Sequence, residues 1–186
     1  MLKIYLTKLI LLAAMMLVLL PGFAIAQIDS VDVAGAYQLA AGDSVSIEVF
    51  GESDLSRNVK LGADGRINYA FVGQIELAGQ TIAEIEKTIT ELLLGDYLIN
   101  PQVSVTMAEY RPFFITGEVK RPGSFAYQPG LTISRAISLA GGLTERASDR
   151  KIYLKRDGMA EADRIRVDLD VEVGPGDTIS IEQSFF

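Results

Sequence analysis

Residues 41–51 read AGDSVSIEVFG, and this stretch decides the fold of the first half of the chain. The Gly42-Asp43 pair favours a turn, because glycine permits positive φ and an aspartate side chain accepts hydrogen bonds from nearby backbone N–H groups. Directly after the turn, apolar and polar residues alternate up to Phe50-Gly51. The apolar members of the alternation are Val45, Ile47 and Val49. This pattern predicts a β-strand that buries one face and leaves the other face polar.

The residues after this strand predict a small sheet. Residues 55–60 and 67–71 read as strands on either side of a turn signal at residues 63–66, so we expect these two strands to form a hairpin with each other. A further alternating strand is predicted over residues 102–108.

One amphipathic helix is predicted between these strands. Thr81 is expected to be its N-cap, because Glu84 stands three residues later and the two residue types together form a capping box. Apolar residues then recur at three- and four-residue spacing up to Gly95, which ends the helix. The apolar face of this helix should cover the sheet.

Arg111-Pro112 predicts a boundary between two modules, because a proline limits the continuation of the preceding strand. After it, two strands joined by a Pro-Gly turn lead to a second helix, capped by Thr132 and ended by Gly141-Gly142. The strands predicted in this half are residues 113–119, 124–127, 152–154, 165–169 and 178–182. A hairpin, one helix and returning strands are typical of a β-grasp-like unit, so the predicted fold class is α+β with two small modules.

The turn-and-strand phrase of residues 42–48 recurs near the end of the chain. It reads GDSVSIE at residues 42–48 and GDTISIE at residues 176–182. Both copies place a turn-forming Gly-Asp pair directly before an alternating strand. From the sequence alone, a true repeat and a chance recurrence of a common phrase are both open.

Residues 1–26 have the layout of a signal peptide. Lys3 and Lys8 precede an apolar run over residues 9–20, and the small-residue tripeptide ends at Ala26. We expect cleavage between Ala26 and Gln27, followed by a flexible arm over residues 27–36. The alternative is that the segment is retained as an N-terminal anchor; either interpretation sends the chain across a membrane.

The composition excludes several classes of function. The chain contains no His and no Cys, which removes the usual general base, the usual zinc ligands, the thiolate nucleophile and any disulfide. No lipid anchor on a cysteine is expected either. With 17 Lys and Arg against 24 Asp and Glu, the net charge is −7, which argues against nucleic acid as a partner. The sequence predicts no cofactor and no metal.

Two ordered groups of motifs resemble the outer-membrane polysaccharide export protein family. The first group, in the predicted module 37–111, resembles the polysaccharide export domain, and the second, in the predicted module 112–186, resembles the soluble-ligand-binding β-grasp module that follows it. The first group comprises residues 41–51, 64–67, Gly73, 78–81 and 100–105. The second group comprises residues 115–125, 132–140 and 140–144. No single motif is specific, but their order and spacing together are.

The resemblance implies a periplasmic, ring-forming subunit of a conduit that exports capsular or exopolysaccharide, and not an enzyme. It implies that the protein associates with the outer membrane and forms a homo-oligomeric ring. It also implies two partners, the polysaccharide chain and an inner-membrane chain-length and polymerisation complex. Since the tail up to Phe186 is too short for a spanning helix, we also expect a separate outer-membrane β-barrel partner. The alternatives are a monomeric periplasmic module that binds glycan or tethers a partner, and a carboxylate-dependent glycan hydrolase or lyase.

Five residues near the module boundary are candidate contacts to sugar or to a neighbouring subunit. They are Tyr110, Arg111, Phe113, Lys120 and Arg121. Aromatic faces offer apolar area with few rotatable bonds, and the basic side chains suit acidic sugars or acidic patches. The helix carboxylates Glu84, Glu86 and Glu91 are the candidates for glycan cleavage, but their spacing fits an exposed helix face better.

Overall fold

The computed structural model describes residues 37–184. The predicted signal peptide of residues 1–26, its cleavage site at Ala26 and Gln27, and the arm of residues 27–36 lie outside the described residues. Ten strands, two α-helices and one short 3-10 helix form between residues 37 and 184. The strands are β1 (Ser44–Val49), β2 (Arg57–Lys60), β3 (Arg66–Tyr69), β4 (Gly73–Glu76), β5 (Val103–Glu109), β6 (Phe113–Gly117), β7 (Gly123–Phe125), β8 (Ala147–Lys155), β9 (Ile165–Arg166) and β10 (Thr178–Gln183). The α-helices are α1 (Ile82–Leu93) and α2 (Ile133–Leu139), and the 3-10 helix is Glu161–Asp163.

In the first half, β1 is the central strand of a three-stranded antiparallel sheet of order β2-β1-β5. The predicted alternation is confirmed, because Val45, Ile47 and Val49 are buried while the residues between them point to the other face. Asp43 and Arg111 therefore lie at one end of the sheet, where β1 begins and β5 has just ended. Phe50 and Gln102 lie at the opposite end.

The predicted hairpin between residues 55–60 and 67–71 is wrong. β2 pairs with β1, and β3 pairs instead with β4, which begins four residues after β3 ends. This local pairing places Ile67 and Tyr69 of β3 and Ile75 of β4 in the same core, and the Tyr69 hydroxyl donates to the carbonyl of Leu55 at 2.8 Å. Burial of these three side chains, rather than the turn signal, decides the pairing.

Helix α1 covers one face of the three-stranded sheet. Its N-cap is Thr81 and its capping box with Glu84 is complete, as predicted, since the Glu84 backbone N–H donates to the Thr81 hydroxyl and the Glu84 carboxylate accepts from the Thr81 backbone N–H. Ile85, Ile89 and Leu93 have no exposed surface and pack into the core of the first half. The other face of the sheet carries the polar residues of the strands.

The second half folds around a five-stranded sheet of order β7-β6-β10-β8-β9. β10, the last strand along the chain, lies in the middle of this sheet, parallel to β6 and antiparallel to β8. Helix α2, with Thr132 as its N-cap, packs Ile133, Ala136 and Ile137 into a second core that is separate from the first. This is the order of a β-grasp unit, and it confirms the α+β class. Between residues 37 and 184, no helix is long and apolar enough to span a membrane.

Candidate functional site

Arg111 joins the two halves of the chain. Its Nη1 lies 3.0 Å from Oδ2 of Asp43, in the turn before β1, and its Nη2 lies 2.9 Å from Oδ2 of Asp157, just after β8. The Arg111 side chain is 15% exposed and that of Asp43 is 0% exposed, so this ion pair is largely withdrawn from water. A guanidinium suits this position because its separate N–H groups can pair with two carboxylates at once.

Tyrosines reinforce the same junction. The Tyr37 hydroxyl donates to Oδ2 of Asp43 and accepts from Nη1 of Arg111, and burial together with the Asp43 hydrogen bond raises the pKa of Tyr37. The half-buried ring of Tyr110 lies edge-on to Tyr37 at 5.1 Å and to Tyr127 at 5.3 Å between ring centroids. Tyr110 thus contacts one tyrosine from each half of the chain. Its aromatic surface is used for packing between them.

The two Gly-Asp turns share one hydrogen-bond pattern. Asp43 accepts from the backbone N–H groups of Ala40 and Arg111 and from the Arg111 guanidinium. Asp177 accepts from the backbone N–H groups of Gly174 and Asp157, and from the guanidinium of Arg156 at 2.7 Å. In each case the donors are the residue three positions earlier, a residue just after the antiparallel neighbour strand, and an arginine at that strand end. The recurrence in sequence therefore corresponds to a recurrence in geometry.

Phe113 corrects one of the predicted contacts. Its side chain is 0% exposed and lies in the second core, with its ring stacked on Phe125 at 5.8 Å between centroids. β6 is paired on both sides, and Phe113 is on the face of the strand that α2 covers. A side chain with no exposed surface is not available to a sugar or to a neighbouring subunit.

Lys120 and Arg121 lie on the exposed turn between β6 and β7, where the backbone docks on the end of α2. The N–H groups of Lys120 and Arg121 donate to the carbonyls of Gly142 and Ala140, and the Arg121 guanidinium donates to the Leu139 carbonyl at 2.8 Å. This contact satisfies carbonyls at the helix C-terminus, where a cation is favourable. Both side chains remain exposed, and their contact to sugar or subunit stays a prediction.

The helix carboxylates that are candidates for glycan cleavage each have a structural contact. Glu84 completes the capping box, Glu86 accepts from the backbone N–H of Val105 at 3.1 Å, and Glu91 lies 3.9 Å from Nζ of Lys87. The Thr81 hydrogen bonds lower the pKa of Glu84. Between residues 37 and 184, no three acidic side chains are grouped so that they could hold a metal ion.

A hydrogen-bonded cluster around the largely buried Glu118 in the second half was not predicted. The side chain of Glu118 is 11% exposed and accepts from the Thr144 hydroxyl, from Nη2 of Arg146 at 3.0 Å and from the Gln183 amide at 2.8 Å. The Thr144 bond foremost, then the Gln183 and Arg146 contacts, lower the pKa of Glu118. Because every contact of the carboxylate is made within the chain, the cluster fastens β10 to the loop before β8.

A cleft lies at the end of the three-stranded sheet away from Arg111, where β1 ends and β5 begins. This distal cleft has a volume of about 950 Å³ and is lined by residues 48–53, Ser56 and residues 102–104. Phe50 stands on its rim with 88% of its surface exposed. We define the distal cleft by these residues.

Sequence reasoning missed Asp43, Asp157 and Asp177 as partners of arginine, and it missed Phe50. The sequence did contain a signal for Asp43, Asp177 and Phe50. The repeated Gly-Asp phrase marked the first and third of the aspartates, and Phe50 is the aromatic residue on the otherwise polar side of an alternating strand. The pairing of Arg111 with Asp157 had no signal, since it depends on how the two halves pack.

Two known families match this chain. Residues 31–108 match the family described as polysaccharide biosynthesis/export protein, and residues 112–166 match the SLBB domain. The structure adds that β10, beyond the second match, is an integral strand of that module's sheet.

Relatives with this similarity have names that refer to the production, export or transport of a polysaccharide. The exopolysaccharide production protein ExoF of Rhizobium meliloti is 33% identical over 145 residues, which are 70% of this chain and 34% of that protein. The EPS I polysaccharide export outer membrane protein EpsA of Ralstonia solanacearum is 32% identical over 98 residues, or 50% of this chain and 26% of that protein.

The polysialic acid transport protein KpsD of Escherichia coli is 25% identical over 123 residues, or 64% of this chain and 22% of that protein. The chain therefore spans about a third or less of the length of the relatives it matches. Proteins with this pair of domains are polysaccharide export proteins and not enzymes.

Proposed function

Because this chain belongs to the polysaccharide export protein family, we propose that it is a periplasmic, ring-forming subunit of a conduit that exports capsular or exopolysaccharide across the cell envelope. In this proposal the protein forms part of a passage and makes or breaks no bond of the polymer. The proposal includes a boundary between its two modules at Arg111-Pro112, as the sequence predicts.

The observation that carries the proposal is the bridging of the two modules by Arg111, which holds a carboxylate of each. A ring closes only if each subunit presents its two contact surfaces at a fixed angle, since a variable angle yields open or irregular assemblies. Asp43 of the first module and Asp157 of the second are held by one guanidinium at 3.0 and 2.9 Å. This arrangement supports a subunit whose modules keep one mutual orientation in the assembly.

Exposed apolar side chains on the first module support self-association. Phe71 is 70% exposed, Tyr97 46% and Ile99 96%, and the Tyr97 hydroxyl donates to the backbone carbonyl of Phe71. Phe71 also has a φ of 64°, an uncommon conformation for a large residue, which here displays its ring on a turn. Neighbouring subunits can bury such surface when the core of a small module is thin.

The remaining parts of the proposal concern location and partners. We propose that the protein is secreted through a cleaved signal peptide and associates with the outer membrane. Its proposed partners are an inner-membrane chain-length and polymerisation complex and a separate outer-membrane barrel. The signal peptide is inferred from the layout of residues 1–26, and the outer-membrane association and the inner-membrane complex from the family; no part of this rests on a contact in this chain.

Light scattering on the purified protein, across concentration and in mild detergent, tests the ring. A discrete species of several subunits is expected, and a strict monomer under all conditions would contradict self-assembly. In cells, a deletion strain should keep making polymer and accumulate it inside the envelope. Loss of control over polymer length with export intact would contradict the export role and favour a monomeric tethering or glycan-binding module.

A further inference from the structure

We propose that the distal cleft is a binding site for a neutral glycan, in which Phe50 stacks on a pyranose ring and Glu48, Gln102 and Ser104 bind its hydroxyl groups. The inference deepens the proposed export function by assigning one surface of the subunit to the polymer. It concerns binding by this chain and does not require a ring.

The four side chains lie on one face of the sheet. Glu48 and Phe50 are two residues apart at the end of β1, so both point to the face opposite the buried Val45, Ile47 and Val49. On β5, Ser104 pairs directly with Glu48, and the carbonyl of Gln102 accepts from the N–H of Phe50 at 2.9 Å. The ring, carboxylate, amide and hydroxyl thus form a two-by-two group of neighbours on two paired strands.

The backbone that carries Phe50 is fixed while its ring is exposed. Ser56 accepts from the N–H of Val49 at 2.9 Å and donates to the carbonyl of Glu52 at 3.1 Å, and the N–H of Glu52 donates to the carbonyl of Val49. These bonds hold the turn on one side of Phe50, and β5 holds the other. A platform that is already ordered loses little conformational entropy when a ligand binds.

The chemistry of the group matches a sugar. An aromatic ring has a negative face, and the C–H bonds on one face of a pyranose are weakly positive, so the two stack with little desolvation of polar groups. Around the ring, a carboxylate accepts two hydroxyl protons, and an amide and a serine hydroxyl both donate and accept. A cleft of about 950 Å³ has the size of ligand sites in general, and its lining combines one exposed aromatic ring with several polar side chains.

The charge of the distal cleft selects among glycans. Its lining includes Glu48 and Glu52 and no Lys or Arg, and more acids than bases surround it in the chain as a whole. Such a lining repels uronate, sialate or phosphate groups and an anionic lipid surface. The ligand class is therefore an uncharged, hydroxyl-rich hexose polymer.

The test uses the purified full chain and oligosaccharides of known composition. Binding of cellohexaose, maltohexaose and laminarihexaose, with hexagalacturonate as the acidic probe, is measured by NMR titration and isothermal calorimetry. At least one neutral probe is expected to bind and to shift resonances of residues 48–53 and 102–104, and the acidic probe to bind about tenfold more weakly or not at all. Binding confined to the acidic probe, or no neutral binding at all, would overturn the proposal.

Substitutions at Phe50 separate sugar stacking from docking of a protein. Phe50→Trp should retain or strengthen binding, whereas Phe50→Leu should weaken it about tenfold, because leucine keeps the apolar bulk but has no aromatic face. Phe71→Leu is the matched control, since Phe71 is also an exposed aromatic of the first module but does not line the distal cleft. Equal binding by the Leu and Trp variants of Phe50 would contradict a stacking role.

The two proposals fail in different ways. If the neutral probes bind and the protein stays monomeric, the glycan site stands and the ring is wrong. If the protein assembles into a discrete oligomer but Phe50→Leu changes neither glycan binding nor assembly, the ring stands and the glycan site is wrong. A change in assembly alone on Phe50→Leu would reassign the distal cleft to a contact with a second copy, and would overturn the glycan site.

Discussion

Arg111 and Asp43 form a buried ion pair across 68 residues of sequence. The Arg111 guanidinium and the Arg111 backbone N–H both donate to the Asp43 carboxylate, at 3.0 and 2.7 Å. Since the second end of the guanidinium reaches Asp157, the pair is also the place where the first module meets the second. Among the buried side-chain nitrogen and oxygen atoms of residues 37–184, Nε of Arg111 is the one without a hydrogen-bond partner. The other two guanidinium nitrogens make the contacts to Asp43, Tyr37 and Asp157.

Replacing Arg111 is expected to destabilise the protein strongly. Arg111→Met keeps the aliphatic stem but leaves the fully buried Asp43 without its counter-charge, which typically costs about 3 kcal/mol of the free energy of unfolding. Urea unfolding measures this loss. In a double-mutant cycle with Asp43→Asn, the combined loss should be clearly smaller than the sum of the single losses, because both variants remove the same contact.

The control for Arg111 is an exposed ion pair of the same kind. Arg66 and Glu76 lie 3.3 Å apart with side chains 48% and 64% exposed. Arg66→Met should therefore cost less than about 1 kcal/mol. Equal losses for the two arginines would show that burial of Arg111 is not what matters.

Gly176→Ala is expected to disrupt the same junction from the opposite side. A Cβ at Gly176 would lie 2.7 Å from Nε of Arg111 and 2.6 Å from Cγ of Asp157, and the residue has a φ of 82°. Gly158→Ala is the matched control, since Gly158 has a φ of 75° with nothing within 4 Å of the added atom. Both variants carry the backbone penalty of about 1 kcal/mol for a left-handed residue, so a larger loss for Gly176→Ala reports the steric contact alone. Equal melting temperatures would contradict the close approach.

The Glu118 cluster predicts a pH-dependent contribution to stability. Since hydrogen bonds lower the pKa of folded Glu118 below its value in the unfolded chain, its contribution is present at neutral pH and is lost as the pH falls through the folded value. The free energy of unfolding of Glu118→Gln should therefore be lower than that of the parent at neutral pH, and the difference should shrink as the pH falls through the folded pKa of Glu118. Urea unfolding across this pH range measures the difference.

Glu145→Gln removes an equal charge at an exposed position close to this cluster and serves as its control. It should not show the pH-dependent loss of unfolding free energy that is expected for Glu118→Gln. If the difference in free energy of unfolding between Glu118→Gln and the parent stays constant with pH, the ionised carboxylate does not stabilise the fold more than a neutral side chain does.

The central position of β10 predicts losses of stability of very different size for substitutions at two adjacent residues. Ile179 is 0% exposed in the second core, and Ile179→Ala is expected to cost about 3 kcal/mol. Ser180 is on the other face of the strand, where its hydroxyl meets that of Thr116 at 3.1 Å, and Ser180→Ala should cost less than about 1 kcal/mol. Thermal unfolding monitored by circular dichroism distinguishes them. If Ile179→Ala and Ser180→Ala both cause only small losses of stability, β10 does not contribute to the second core as a central strand would.

Much of the local structure was predictable from short patterns. The strand after Asp43 and the two helix starts at Thr81 and Thr132 are encoded by residues within a few positions of each other, and all three are confirmed. The β2 and β3 hairpin failed for the opposite reason. Its turn signal was local, but the pairing was settled by Ile67, Tyr69 and Ile75 entering one core, and long-range burial outweighs turn propensity.

The candidate site shows the same division. Arg111 and Tyr110 were singled out from their residue types, yet their surfaces are used within the chain, on Asp43, Asp157, Tyr37 and Tyr127. Phe113 was singled out and is a core residue. Residue type alone does not distinguish an aromatic ring that packs inside from one that faces water.

By itself, the sequence determined the element types, the two-module order and the family, because alternation, caps and turn residues act over a few positions and their order is read directly along the chain. Only the tertiary structure decided which strand lies at the centre of the second sheet, which carboxylates Arg111 pairs with, and that Phe50 stands exposed beside Glu48, Gln102 and Ser104. The Arg111 ion pairs and the neighbourhood of Phe50 and Gln102 join residues between 46 and 68 positions apart. They are settled by which arrangement buries the most apolar surface while leaving no charge unpaired, and that balance exists only once the whole chain has packed.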